Sequence, residues 1–376
     1  MTELIWAAAA FGFAALAVHV LTAAFTIQRC RPPRYRKAPA GAPPISIVQP
    51  VCGVDNFAEE TLRSTFALDY PQYEVVFCVA HARDPIVPLV ERLIAEHPWV
   101  PARLLVGENP ISDNPKLNNI VKGWRAAAHD WIVVADSNIL LPRDALQRLF
   151  AGWQPGTGLV CSPPIGCVPE GLAAEFECAV LNTYEARWQY AADTLHLGFA
   201  QGKTMLWRRP DLERGGGIRA LAAELAEDAA ATKLVRGLKL RVCLVDAPFG
   251  QPLGARTFAD VWRRQVRWAR LRRVTFKALF VAEILSTSLW AILAAAVTAH
   301  ALGYSPWAGA AAIASLWYGT EALLAHAAGW HLNWRSPFLW LARDCLLPVL
   351  WIEGWRGDHF SWRGNSMNVA GSTRNV

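Results

Sequence analysis

Hydrophobic and polar residues alternate along this chain with a period that changes from one region to the next. From Leu4 to Ile27 the sequence is almost unbroken apolar, with His19 the main interruption, and a basic run follows: Arg29, Arg31, Arg34, Arg36 and Lys37. An apolar stretch of this length predicts a membrane-crossing helix. The positive charge lies behind it, where a cleaved signal peptide would carry its positive charge in front. The pattern therefore predicts a retained anchor over residues 1–28, with its C-terminal side in the cytoplasm. His19 reads as a tolerated histidine within that helix. Residues 29–44, basic and rich in proline, read as a linker.

From Ile45 short apolar runs alternate with helical segments. ISIVQPV from Ile45, EVVFCVA from Glu74, RLLV from Arg103 and WIVVA from Trp131 read as strands. Helical patterns lie between them, near Glu59–Leu68, Pro85–Glu96 and Leu117–Ala128. Continuous β-branched runs separated by helices predict a mainly parallel sheet covered on both faces, an α/β fold. Farther on come GLVCSPP, a long helix around Gly171–Tyr190, and strands near Thr204–Trp207 and Leu240–Val245. Together these define an expected catalytic domain over 45–256.

The chain then turns basic and afterwards apolar. Residues 257–278 predict an amphipathic helix rich in arginine. Leu279–Leu302 and Ser305–Trp330 are each long enough to span, so residues 279–332 predict two transmembrane helices. Pro337–Trp355 carries Arg343, Asp344 and Glu353 with Pro348 inside. Charges at membrane depth are costly unless paired, so residues 333–376 read as a re-entrant or interfacial segment with a cytoplasmic tail. The expectation is a multi-pass membrane protein whose catalytic domain faces the cytoplasm.

Composition agrees with this division. The 376 residues are 53% hydrophobic and only 18% charged, with a net charge of +6. That is too apolar for an ordinary soluble enzyme and too polar for a transporter. The basic clusters, the second running from Arg263 to Lys277, lie beside apolar spans and suit anionic headgroups. With no zinc-finger spacing and no RNA-binding aromatic motif, no nucleic-acid partner is expected. Eight scattered cysteines without a CxxC read as free thiols. No GxGxxG follows the first strand, and no GxxxxGK[ST] or GxSxG occurs, which disfavours dinucleotide, P-loop and simple lipase chemistry.

Three stretches carry candidate chemistry. Asp136 follows a buried-type strand, so it lies at the carboxyl edge of the sheet, where open α/β folds bind ligands. Its carboxylate suits a hard ion such as Mg²⁺ or Mn²⁺. Asp136-Ser137-Asn138 lacks the second carboxylate of a DxD, and a loop cap before Pro142 explains Asp136 equally well. Glu227-Asp228 opens a predicted helix, where it is either a dipole-compensating cap or a general base. In the run Arg264-Gln265-Val266-Arg267-Trp268, helical spacing puts Arg264, Arg267 and Trp268 on one face. Such a face can grip a diphosphate and stack on an acceptor, or simply lie against lipid headgroups. Two weaker signals remain. Lys116 and the helix start at NPKLNN, which includes Asn119, can meet phosphate oxygens or be a plain helix start. Asp84, after the second strand, can reach a base or form an Asp-Pro turn.

Taken in order, PVCGVD at Pro50, LDYPQYEV at Leu68, RDP at Arg83, NPKLNN at Asn114, ADSNI at Ala135, AEDAA at Ala226, RQVRWARLR at Arg264 and SWR at Ser361 closely resemble the ceramide glucosyltransferase family. That family is a lipid-directed branch of the inverting GT-A glycosyltransferases and includes bacterial hopanoid-type relatives. The resemblance covers nearly the whole chain. It implies a GT-A nucleotide-sugar-binding domain flanked by N-terminal and C-terminal membrane helices. It also implies a nucleotide contact at Asp84, a metal and diphosphate contact at Asp136 and a catalytic base at Asp228. Arg264, Arg267 and Trp268 match its [QR]xxRW motif, with arginine in the first place. Asn138 stands where this branch commonly has glycine.

The expected activity is transfer of glucose or N-acetylglucosamine from a UDP-sugar to a lipid hydroxyl with inversion, assisted by a divalent cation. Acceptors within the resemblance include ceramide, diacylglycerol and hopanoid lipids. A processive polysaccharide synthase shares these motifs but needs more membrane helices than this chain offers. A non-catalytic lipid-binding scaffold is the rival from another class, and three retained aspartates argue against it.

Overall fold

The computed structural model describes residues 2–32, 35–362 and 365–368. Arg34 of the first basic run and Arg363 of the SWR stretch lie outside the described residues. In chain order, α1 (Thr2–Cys30) precedes β1 (Ile45–Pro50), α2 (Ala58–Phe66), β2 (Tyr73–Val79), α3 (Val87–Glu96), β3 (Ala102–Val106), α4 (Pro115–Ala126) and β4 (Trp131–Ala135). Next come α5 (Ala145–Ala151), β5 (Thr157–Cys161), β6 (Pro164–Glu170), α6 (Leu172–Val180), a π-helical turn at Leu181–Ala186 and α7 (Arg187–Thr194). Then follow β7 (Thr204–Arg208), α8 (Arg209–Arg214), α9 (Glu227–Gly237), β8 (Arg241–Leu244) and β9 (Phe249–Ala255). The chain ends with α10 (Phe258–Thr275), α11 (Lys277–Glu283), α12 (Ser288–Ala301), α13 (Pro306–Ala328), α14 (Ser336–Trp355) and a short ribbon of two strands.

These elements gather into two compact units. One holds residues 33–168 and 192–254 together with the C-terminal residues, and is built on a seven-stranded sheet in the order β3-β2-β1-β4-β7-β5-β8. The sheet is parallel except at β7, which runs antiparallel to β4 and β5. Strands β1 and β2 are buried at every residue, the mark of a sheet covered on both faces. On one face Ile45, Ile47, Val75 and Phe77 pack with Leu62 and Phe66 of α2 and Val90 and Leu93 of α3. On the other, α4 lies so close that a Cβ on Gly123 would fall 2.5 Å from a Val48 methyl and 2.6 Å from Cys78 Sγ. In-register parallel pairing, Val48 with both Val76 and Val134, brings the carboxyl ends of β1, β2 and β4 to one edge. A second sheet pairs β6 with β9, a strand whose Gly- and Pro-containing sequence FGQPLGA gives no strand signal.

The other unit holds residues 1–32, 169–191 and 255–360. Helix α1 runs unbroken for 29 residues. Among the described residues, Glu3–Cys30 is the one helix long and apolar enough to cross a membrane by itself. The stretch expected to span over 279–302 contains a break. Lys277–Ser286 and Ser288–Ala301 meet at an angle of 47°, and only as a bent pair do they reach the same length and apolarity. The cause is local: Thr287 leaves the helix at φ −84°, ψ 149° and its hydroxyl caps α12 by accepting from Leu289 N. Small residues let α12 and α13 approach closely; a Cβ on Gly309 would lie 2.7 Å from Ala295 O.

The charges noted inside the last apolar helix are paired. Arg343 and Asp344 are each 1% exposed, and Arg343 donates to Glu321 at 2.8 and 3.0 Å, to Asp344 at 2.8 Å and to Thr183 Oγ1 at 3.0 Å. Asp344 also accepts from Ser288 N and Tyr318 Oη. Thr183 belongs to the π-helical turn, so this network ties that turn to α12, α13 and α14. Helix α14 packs chiefly on α10 and α6.

Candidate active site

The carboxyl edge of the parallel strands brings together Asp136, Lys116, Lys203, Glu227 and Asp228. Asp136 follows β4, and the antiparallel register that pairs Ala135 with Thr204 puts Lys203 opposite it. Asp136 N donates to Lys203 O at 2.8 Å, and Lys203 Nζ lies 3.0 Å from Asp136 Oδ2. Such opposed pairs of unlike charge are favourable across antiparallel strands. Lys203 Nζ also donates to Asn138 Oδ1 at 3.1 Å.

Two helices begin at the same edge. Asn114 caps α4, its Oδ1 accepting from Lys116 N at 2.9 Å and Leu117 N at 3.2 Å, and Pro115 occupies the first turn. The Asn114 amide donates to Leu225 O at 3.0 Å and to Glu227 Oε2 at 2.7 Å, which joins the start of α4 to that of α9. Lys116 Nζ meets three oxygens: Asp136 Oδ1 at 2.7 Å, Glu227 Oε1 at 2.7 Å and Gly202 O at 2.6 Å. A Cβ on Gly202 would lie 2.9 Å from Glu227 Oε1 and 3.2 Å from Asp228 Oδ2, so a side chain there would push on both carboxylates.

Asp228 stands in the first turn of α9, while Ala226 holds the cap position without a side-chain bond. Its Oδ2 accepts from Gly202 N at 3.0 Å and its Oδ1 from Ala229 N at 2.8 Å. Burial and the neighbouring Glu227 carboxylate push its pKa up to about 6, against the opposing pull of Lys116 and the two backbone donors. Asp136 goes the other way. Burial alone would raise it, but the ammonium groups of Lys116 and Lys203 hold it down at about 2. Burial would likewise lower Lys116, and the carboxylates of Asp136 and Glu227 more than reverse that. Two carboxyls at one edge thus have separated proton affinities, Asp136 held low and Asp228 raised.

The remaining expected residues are placed differently. Asp84 Oδ1 accepts from Gly53 N at 2.9 Å and Ile86 N at 3.0 Å, which organises the loops after β1 and β2. Asn119 donates to Cys78 O at 2.6 Å and accepts from Lys122, which ties α4 to β2. Arg264, Arg267 and Trp268 lie in the other unit, on α10, which Thr257 caps by accepting from Asp260 N at 3.1 Å. Val261, Gln265 and Ala269 form the buried stripe of that helix. Arg264 donates to Glu177, which is fully buried and also faces Arg256 at 3.6 Å. Lys203 was not anticipated, because only the antiparallel direction of β7 places it beside Asp136. A lone Gly-Lys before a strand carries no signal of that.

The donor atoms near Asp136 are oxygens, as a hard divalent ion requires, yet Asp136 already meets an ammonium on each oxygen. Among the described residues no three His, Cys, Asp or Glu side chains gather as metal ligands. A hard divalent ion would find one carboxylate ligand here, in Asp136, rather than a protein-made cage.

Comparison with known proteins places this geometry in context. Ceramide glucosyltransferase 1 of Caenorhabditis elegans is 25% identical over 336 residues, 87% of this chain and 72% of that protein. Ceramide glucosyltransferase 3 of the same organism is 24% identical over 367 residues, 96% and 80% of the two chains. A mannosyltransferase from Pyrobaculum calidifontis, solved with GDP-Man and Mn²⁺, shares the fold with a TM-score of 0.55 at 20% identity, covering 94% of this chain and 98% of its own. The model of glycosyl transferase family 21 matches residues 4–374. This chain, an α/β glycosyltransferase, therefore belongs to glycosyl transferase family 21.

Proposed function

We propose that this enzyme moves a hexose from a UDP-sugar to the hydroxyl of a membrane lipid, with inversion at the anomeric carbon. The observation that carries the reading is the Asp228 carboxyl, held by Gly202 N and Ala229 N and poised near pH 6 beside a permanently charged Asp136. In a single displacement the acceptor oxygen bonds to the sugar's C1 as its proton passes to Asp228. The bond from C1 to the β-phosphate oxygen breaks, and its electron pair leaves with UDP. A base with a pKa close to the working pH suits that transfer. A divalent ion such as Mg²⁺ or Mn²⁺, bound through Asp136, would supply positive charge to the leaving diphosphate.

Asp84 is proposed to support the nucleotide through the Gly53 loop, and Asn119 to fix the helix that presents Lys116. The roles proposed for Arg264 and Arg267 are contacts to phosphate, and for Trp268 stacking on the acceptor; the family motif supports these. The named activity of the two nematode relatives makes ceramide and glucose the first pair to test. The helices of residues 2–30 and 277–328 are proposed to hold the protein in the bilayer with its sheet unit on the cytoplasmic side. The test is to incubate membranes containing the protein with labelled UDP-glucose or UDP-N-acetylglucosamine and separate the lipids. A single labelled glycolipid is expected. A ladder of products would replace this reading with a processive synthase, and no labelled lipid across ceramide, diacylglycerol and hopanoid acceptors would end it.

A further inference from the structure

We propose that Lys203 and Lys116 bind the donor's diphosphate directly and take over part of the charge neutralisation of a divalent ion, so that UDP binding persists when such ions are removed. The inference rests on the reading of the site as a nucleotide-sugar site and adds to it a second cation that nothing in the sequence pointed to.

The two ammonium groups flank one carboxylate. Lys116 Nζ is 2.7 Å from Asp136 Oδ1, and Lys203 Nζ is 3.0 Å from Asp136 Oδ2. Each is also steered from a second side, Lys116 by Glu227 Oε1 and Gly202 O, and Lys203 by Asn138 Oδ1. A diphosphate arriving at this edge competes with Asp136 for the two ammonium groups, which stay tethered at the same sheet edge whether or not a divalent ion is present. Lysine is a good point-charge partner for phosphate. The lysine side chains are only 12% and 16% exposed, so their charges are weakly screened compared with surface lysines.

Two lysines carry the same formal charge as one divalent ion, and in this structure they share it with the carboxylates of Asp136 and Glu227. Asn138 gives Lys203 a fixed direction through its carbonyl oxygen. A residue without a side chain at 138 would remove that guide and leave the Asp136 contact in place.

The experiment measures UDP binding to the purified full-length protein by calorimetry, with Mn²⁺ and again with excess EDTA. For the wild type, the Kd is expected to rise less than about 10-fold in EDTA, a loss below about 1.4 kcal/mol. For Lys203→Met the rise should be at least about 100-fold, and Lys203→Arg should stay close to the wild type. Asn138→Gly should fall between wild type and Lys203→Met, and it decides the matter if Lys203→Met does not fold. Wild-type binding that is lost in EDTA overturns the inference. So does a Lys203→Met protein, or in its stead an Asn138→Gly protein, whose response to EDTA equals that of the wild type. UDP binding under no condition removes the nucleotide-sugar reading itself. Binding that needs Mn²⁺ removes this inference alone.

Discussion

The two units each contain a cluster of buried acids and bases, and the clusters are built differently. Around Arg343 every charge has a close partner: Glu321, Asp344 and the guanidinium are sealed at 0–1% exposure and braced by Thr183, Ser288 and Tyr318. Around Asp136 the carboxylate keeps 20% of its side-chain surface, and Lys116 bridges two acids, while among the described residues Asp228 accepts from the backbone donors Gly202 N and Ala229 N rather than from a cation. Complete compensation fixes helices in place. Incomplete compensation leaves a carboxyl whose proton can move. A buried charge by itself therefore says little about function, and the state of its partners decides between structure and chemistry.

The sharpest way to break this contrast is at the open cluster. Asp228→Asn should lower transfer by about 10² to 10⁴-fold, the range a positioned general base supplies. UDP affinity should stay within about 3-fold, under about 0.7 kcal/mol, since the amide still accepts from Gly202 N. Rates measured with labelled UDP-sugar beside calorimetric UDP binding check both halves. Turnover near the wild-type level would remove the role as base proposed for Asp228.

The sealed cluster should respond in stability instead. Arg343→Met leaves Glu321 and Asp344 without their cation, and breaking a buried pair in this way costs about 3–5 kcal/mol. Arg343→Met combined with Glu321→Met removes one charge of each sign but leaves Asp344 without its cation, so it should recover only part of that loss. Thermal unfolding in detergent is the measurement. UDP affinity of the folded fraction should match the wild type. If the double variant is no more stable than the single one, the cluster is not a compensated lock.

What the sequence disclosed follows the same physical division. β1, β2 and β4 are legible because strands buried on both faces must be continuously apolar and β-branched, and ISIVQP, YEVVFCV and WIVVA are. Asp136 was legible because its strand ends there. β9 was not, since its Gly and Pro residues are tolerated only by pairing with β6. The break at Thr287 was hidden inside an apolar run, where one capping hydroxyl outweighs hydropathy over a short distance. The contacts that complete the site were hidden for a different reason. Glu227 meets Asn114 across 113 positions and Lys116 meets Gly202 O across 86, and no local pattern encodes such pairs. Lys203 needed the direction of β7, which an apolar run alone does not state.

The smallest effect is the most discriminating, because it tests the partners of the base rather than the base. With Asp228 near pKa 6, the carboxyl is protonated and inactive below that pH and ionised above it, so kcat/KM should fall on the acid side of about pH 6. Burial is the largest cause of the raised value and Glu227 the next, while Lys116 opposes both. Glu227→Gln keeps the burial and deletes the repelling charge, so the acid limb should move to lower pH. The movement should be less than one unit, or under about 1.4 kcal/mol, because the dominant cause remains. Lys116→Met deletes the opposing charge and should move the limb the other way. Opposite shifts in the two variants would show that the bridging lysine and its acid tune Asp228 across the site. A limb that stays put in both would mean that Asp228 is held by its burial alone, leaving Glu227 and Lys116 to each other and to the phosphates.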